Sequence, residues 1–178
     1  MISVGYDMYL RLLEEAVLEE KGEPVKPPRN CTADLNVDAC IPKHYVTTIE
    51  QRMDLYRRMA AVRNREDREE LLDELVDRYG EPEKSVINLV DIALLRADAA
   101  ALGITELRQF AGALHFHLEE MDVLDRAEAA DREPYFRKRI IVSTKEDKVF
   151  LKLILPNDSK PLKEAQYFIT FLGKKEEA

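Results

Sequence analysis

The stretch Glu69-Glu-Leu-Leu-Asp-Glu-Leu-Val-Asp-Arg-Tyr-Gly80-Glu-Pro82 reads as a helix that carries its own stop. At ~100° per residue, Leu71, Leu72, Leu75, Val76 and Tyr79 share one face. Gly80 and Pro82 then end the helix, the first by adopting a left-handed cap and the second by being unable to continue it. On the other side Glu66, Glu70, Asp73, Glu74 and Asp77 fall within an arc of roughly 100°, with no Lys or Arg inside that arc. Carboxylates at such spacing repel one another unless a basic group lies close by. The segment is therefore either a solvated helix surface or a face prepared for a basic partner.

Working outward, three helices are expected across the middle of the chain. The first spans about Thr48 to Arg63, with Ile49, Met53, Tyr56, Met59 or Ala60, and Val62 facing inward. The second is the acidic helix, about Glu66 to Tyr79. The third spans Glu83 to Leu102; Val86, Ile87, Leu89, Val90, Ile92, Ala93, Leu94 and Leu95 make it apolar around most of its first half, which predicts a central buried helix.

Upstream, Tyr6 to about Lys21 has an amphipathic pattern, followed by the Pro-rich connector Gly22–Asn30. Ala33, Leu35, Val37, Ala39 and Ile41 then alternate with polar residues and Cys40, which predicts a half-buried strand over 32–41. Downstream of Gly103 the pattern changes to strands. Ile104–Phe110 and Leu114–Leu118 flank an Ala-Gly-Ala turn as a hairpin. A short helix near 121–131 precedes two strands, Arg139–Ser143 and Val149–Leu155, and a final helix starting at Pro161 with Leu162, Ala165, Phe168, Ile169 and Leu172 inward. The order αβαααββαββα gives an α+β class whose sheet comes mainly from the C-terminal half. Residues 1–178 are expected to form one domain, helical over about 1–103 and strand-rich over about 104–178.

Composition limits the function. The 178 residues suffice for one good core or two small adjoining ones. A formal net charge of -8 argues against free nucleic acid as the main partner, because phosphate binding needs a basic footprint. Cys31 and Cys40 are the only cysteines, and their spacing along a strand points them to opposite faces, so no mutual disulfide is expected. That usage fits a reducing cytoplasm. The first residues lack signal-peptide blocks, and no apolar run approaches the ~20 residues that span a bilayer.

Catalytic chemistry is hard to find. Neither a P-loop nor a G-x-G-x-x-G stretch is present, so no cofactor is expected. His115 and His117 share a strand face and could hold a metal, but Leu114, Phe116 and Leu118 claim the core side and no third ligand is evident. His44 with Cys40 or Cys31 could suggest a nucleophile pair, though no local signature supports it. Arg52, Arg57, Arg58, Arg63, Arg65 and Arg68 could form a nucleic-acid patch, or they could pair with Glu66, Glu70 or Glu74 inside the fold. No aromatics interleave with them as base stacking would require.

Three segments together resemble a known family. Gly5-Tyr-Asp-Met-Tyr-Leu-Arg-Leu-Leu-Glu-Glu-Ala-Val17 resembles the opening of the C-terminal domain of bacterial transcription-repair coupling factors. Val37-Asp-Ala-Cys-Ile-Pro-Lys-His-Tyr45 with Gln51-Arg-Met-Asp-Leu-Tyr-Arg-Arg58 is similar to the family's next block, and Glu74-Leu-Val-Asp-Arg-Tyr-Gly80 with Pro82 to its most recognisable signature. The likeness runs from about residue 3 to 104, more loosely beyond, and the connector at 22–30 departs from the pattern.

The resemblance implies a non-catalytic fragment of a large ATP-driven DNA translocase whose motor lies upstream of residue 1. It implies a monomeric, cytoplasmic, autoinhibitory domain that packs on the UvrB-like N-terminal module of the same protein, masks its UvrA-binding surface and restrains the motor. The parent's partners would be RNA polymerase, UvrA and DNA, with no membrane. Carried over by motif position, the contact residues are Glu74 and Asp77, with Glu70 and Asp73 as neighbours, meeting arginines of that module. The rival readings are a nucleic-acid-binding domain using Arg52–Arg68, and a small enzyme using His44, Cys40 or the His115/His117 pair.

Overall fold

The computed structural model of the chain describes residues 30–119, 123–145 and 148–173. The helix expected at Tyr6–Lys21, the connector as far as residue 29 and the first of the three family-like segments lie outside them.

The elements are β1 (Thr32–Asp34), α1 (Ile49–Ala60), α2 (Arg65–Tyr79), α3 (Lys84–Ala101), β2 (Ile104–Phe110), β3 (Ala113–Leu118), α4 (Val123–Arg132), β4 (Ile140–Lys145), β5 (Lys148–Ile154) and α5 (Pro161–Gly173). This is the expected α+β arrangement: helices early, and a sheet drawn mostly from the C-terminal half. The described chain divides into two compact units, residues 37–97 and residues 30–36 with 98–173. The chain passes from one to the other through α3.

In the helical unit, α1 begins where the Thr48 hydroxyl accepts the Gln51 amide, and α2 where the Asn64 side chain accepts the Asp67 amide at 2.8 Å. The Asp67 carboxylate reaches back to the Arg63 amide, so two otherwise orphan donors are satisfied. At the other end of α2, Gly80 has φ of 82° and its amide donates to the Val76 carbonyl. Only glycine takes that conformation without a Cβ penalty, so the stop predicted from sequence is a conformational one.

Ile41, Val46, Leu55, Met59, Val62, Leu71, Leu75, Val86, Leu89, Val90, Ala93 and Leu94 form the core of this unit. Each fully buried Leu or Val among them contributes roughly 1.5–3 kcal/mol relative to exposure. The inward faces differ from expectation at three places. Ile49 is 64% exposed because it stands in the first turn, before α1 meets its neighbours, and Leu55 takes the core position instead. Met53 is only half-buried, and Val76 is exposed at the margin of the α2 face centred on Leu71 and Leu75.

In the second unit the strand order is β1-β2-β3-β5-β4, antiparallel except for β1, which joins β2 in parallel at the edge. The β2–β3 turn is Ala111-Gly112, both with positive φ, which suits the right-handed twist of a two-residue hairpin. Leu107, Leu114, Phe116, Leu118, Val149, Leu151 and Leu153 point to the buried face. Against them pack Leu162, Ala165, Phe168, Ile169 and Leu172 of α5, the residues chosen by helical spacing. Phe116, Phe136 and Phe168 join in a tilted cluster with centroids 5.2 and 5.3 Å apart. Glu164 is buried beside them, accepting from Arg139 at 2.6 Å and from the Tyr135 hydroxyl. That bond to Glu164, before burial, holds the Tyr135 phenol above its ordinary pKa.

The predicted ten-residue strand at 32–41 is the main correction to the element list. Only Thr32–Asp34 joins the sheet. At Asn36 the amide donates to the Gln109 side chain rather than to a strand, and the chain leaves for the helical unit. The chain bends at Asn36 and Val37, and although Leu35 and Ile41 remain buried, residues 35–41 join no strand.

Candidate functional site

The acidic helix α2 is built on two different uses of carboxylate. Glu74 faces inward along the surface of the helical unit. Its two oxygens receive both terminal nitrogens of the Arg58 guanidinium, and Arg78 adds a bond at 2.8 Å from the next turn. The planar fork of arginine matches a carboxylate bidentately, so this is the strong form of the interaction. These bonds, Arg58 first and Arg78 second, hold the Glu74 carboxyl below its ordinary pKa. Its bond to Glu74 raises the Arg58 guanidinium in turn.

Glu66, Glu70, Asp73 and Asp77 lie on the outer strip of the same helix, spaced 4, 3 and 4 residues apart, and all are exposed. None of the four has an ion-pair partner among the described residues. The Glu70, Asp73 and Asp77 carboxylates therefore stand in solvent at i, i+3 and i+7 with their mutual repulsion uncompensated. Of the two residues singled out by motif position, one is tied into the fold and one is free.

The motif blocks are joined by these and similar bonds. The Tyr45 hydroxyl donates to the Gly80 carbonyl at 2.8 Å and the Leu75 carbonyl at 3.3 Å, closing the C-terminal end of α2. Burial, more than the nearby charge of Glu81, raises that phenol's pKa. The Ile41 amide donates to the Tyr56 hydroxyl at 3.2 Å, and the Asn88 side chain to the Asp38 carbonyl at 2.8 Å. The block 37–45, the block 51–58 and the block 74–80 are thus three sides of one hydrogen-bonded frame.

Most of the arginine cluster belongs to the same frame. Arg52 donates to the Val46 and Thr47 carbonyls, Arg63 to those of Ala60 and Val62, and Arg68 to Asp91 at 2.7 Å. Arg57 and Arg65 remain as exposed cations. The enzyme candidates are dispersed. His44 lies against Glu83, while the Cys40 thiol is directed at Asp38, 3.9 Å away. Cys31 is a buried thiol in the other unit. His115 and His117 share a strand face as expected; both are half-buried rather than open to solvent, and His117 stacks on Phe150. No group of three or more His, Cys, Asp or Glu side chains is arranged to hold a metal among the described residues. No described helix is long and apolar enough to cross a membrane.

Two parts of this arrangement were missed in the sequence. Arg78 stands four residues after Glu74, the favourable order for an i,i+4 pair, and that spacing was a readable signal. Tyr45 carries no such signal, because its acceptors lie 30 and 35 residues away.

Comparison with known proteins agrees with this frame. The model of the TRCF domain family matches residues 35–129, which include the frame and the first hairpin. The transcription-repair-coupling factor of Bacillus subtilis is 34% identical over 119 residues, covering 66% of this chain and 10% of the relative. That of Myxococcus xanthus is 38% identical over 104 residues, covering 58% and 9% respectively. The chain thus spans about a tenth of the length of these curated relatives. A solved structure, the C-terminal domain of transcription-repair coupling factor, superposes with a TM-score of 0.67 at 18% identity over 80% of this chain and 89% of that one. The fold is shared at a level where few side chains are, and on the family match across more than half its length this chain belongs to the TRCF domain family of transcription-repair-coupling factors.

Proposed function

We propose that the chain is a non-catalytic, autoinhibitory interaction domain of a transcription-coupled DNA repair translocase. In this reading the outer strip of α2 docks on arginines of a UvrB-like N-terminal module in the same full-length protein. Docking covers the surface that would recruit UvrA and restrains the ATP-driven motor until the parent engages stalled RNA polymerase on DNA. The domain acts by occupancy, a folded acidic face holding a basic site until a conformational change releases it.

One observation carries the reading: Asp73 and Asp77, with Glu70, are exposed and have no basic partner among the described residues. A strip of unpaired carboxylates on a rigid helix is electrostatically unfavourable alone and gains from a basic partner, especially where the contact excludes water. Glu74 belongs to the same surface, and in this reading its role is to fix α1 against α2 so that Asp77 is presented in a constant direction.

Competition tests this. UvrA binding to the isolated N-terminal module is measured while this chain is titrated in. The expected result is displacement by the wild-type chain and none by Asp73→Arg/Asp77→Arg. Undiminished UvrA binding at saturating wild-type chain would remove the masking role.

A further inference from the structure

The sheet has a second face, directed away from α5, and its chemistry is unlike that of the acidic helix. Register places Arg108 opposite His115 and His115 opposite Lys152 on three successive strands. With neighbouring strands ~4.8 Å apart, these three nitrogen-bearing side chains cross the sheet in one row. The adjacent row sets Glu106, His117 and Phe150 side by side. Phe110 stands at the end of β2, 67% exposed, with its ring 6.3 Å from that of His115. The rings of His117 and Phe150 are stacked, 4.9 Å apart and 4° from parallel.

Glu106, Arg108, Phe110, His115, His117 and Phe150 line an open groove of about 320 Å³. His117 lines this groove with its ring, while its Nε2 is shielded from solvent without a hydrogen-bond partner among the described residues. The solvent face of an antiparallel sheet is ordinarily polar, yet here two phenylalanines stand among the cations. The single carboxylate in the groove, Glu106, is held by Arg108 at 2.8 Å, and Lys152 has no acidic partner among the described residues.

We propose that this face binds single-stranded nucleic acid. Aromatic rings interleaved with cations on an open surface are what unpaired bases and their phosphates require, the rings stacking on bases and the cations following the backbone. Phe110 and Phe150 supply the stacking surfaces, Lys152 meets one phosphate, and Arg108 meets a second by exchanging its exposed Glu106 partner for it. The Arg52–Arg68 cluster lacks this interleaving, and its guanidinium groups are mostly engaged. A duplex, whose base faces are already stacked, cannot use these rings. The proposal is independent of the α2 docking reading and involves none of its residues.

Fluorescence anisotropy of labelled oligo-dT and oligo-rU, each of about 12 nucleotides, tests this at low salt on the whole chain. The expected result is saturable binding that weakens with salt at a log–log slope of about -1.5, corresponding to two phosphate contacts. A duplex of equal length should bind at least about tenfold more weakly. Phe110→Ala should reduce affinity by about tenfold while leaving the thermal unfolding midpoint unchanged, since Phe110 is already in solvent, and Lys152→Glu should reduce affinity by about tenfold in a chain whose circular dichroism shows it folded. Tighter binding of one polymer would identify which of the two the face prefers; equal binding would support stacking and phosphate contact alone. Absence of binding to both polymers, equal binding of the duplex, or full affinity in both variants would overturn the proposal and leave the face to a protein partner.

Discussion

Residues 37–97 and the sheet unit both join carboxylates to arginines, but in opposite settings. In the helical unit Glu74 takes Arg58 and Arg78 at the surface, with guanidinium side chains 41% and 47% exposed. In the sheet unit Glu164 takes Arg139 and the Tyr135 hydroxyl with only 8% of its side chain exposed. The first pair can exchange its partners for water at little cost, so it directs α1 and α2 more than it stabilises them. The second is mostly buried, so losing one member breaks charge-assisted bonds that water replaces poorly. The difference shows where each unit tolerates change: the sheet unit depends on an aromatic and ionic interior, and the helical unit keeps its acidic chemistry at the surface.

The comparison can be broken first at the interior. Phe168→Ala removes the ring that joins Phe116 and Phe136, and should cost about 4 kcal/mol in urea unfolding. Next comes Glu164→Ala, which removes the acceptor shared by Arg139 and Tyr135 but leaves Arg139 its bonds to the Tyr135 and Ile154 carbonyls, and should cost about 2 kcal/mol, with Glu164→Gln milder because the amide still accepts one bond. At the surface clamp, Glu74→Ala should cost on the order of 1 kcal/mol.

Acid sharpens the same point. The Glu74 carboxyl titrates lower in the folded chain than in the unfolded one. Its contribution is therefore complete above the unfolded value and is lost as pH falls through the folded one. The stability difference between wild type and Glu74→Gln should accordingly shrink as the pH falls below the ordinary glutamate range. The smallest effect belongs to Asp77→Arg, expected within about 0.5 kcal/mol of wild type because Asp77 makes no bond that folding requires. A large loss of stability there would show that the outer strip is structural after all.

The sequence exposed much of this fold because its strongest signals are periodic. The α5 positions from Leu162 to Leu172, the burial of α3 and the Gly80 stop all follow from spacing and from residues with narrow backbone preferences. The strand at 32–41 failed because alternation of residue types does not show where the chain bends, as it does at Asn36 and Val37, or whether a neighbour strand exists. Ile49 failed because position in the first turn outweighed its place on the apolar arc.

The site was half visible. The acidic arc of α2 could be read directly, and the possibility that the preceding arginines pair within the fold was open from the start. Which carboxylate they take could not be read, because Arg58 and Glu74 are 16 residues apart and meet only after α1 and α2 pack. The sheet groove was hidden for a similar reason. Arg108, His115 and Lys152 become a row only through strand register, which the sequence does not print.

The central claim is that α2 carries two kinds of acid, one holding the frame together and one offered outward. Affinity of the chain for the isolated UvrB-like N-terminal module, compared by titration calorimetry for wild type and Asp73→Arg/Asp77→Arg, tests it most directly. The account predicts at least about a tenfold loss of affinity with an unchanged unfolding midpoint. Undiminished affinity in a correctly folded variant would contradict it.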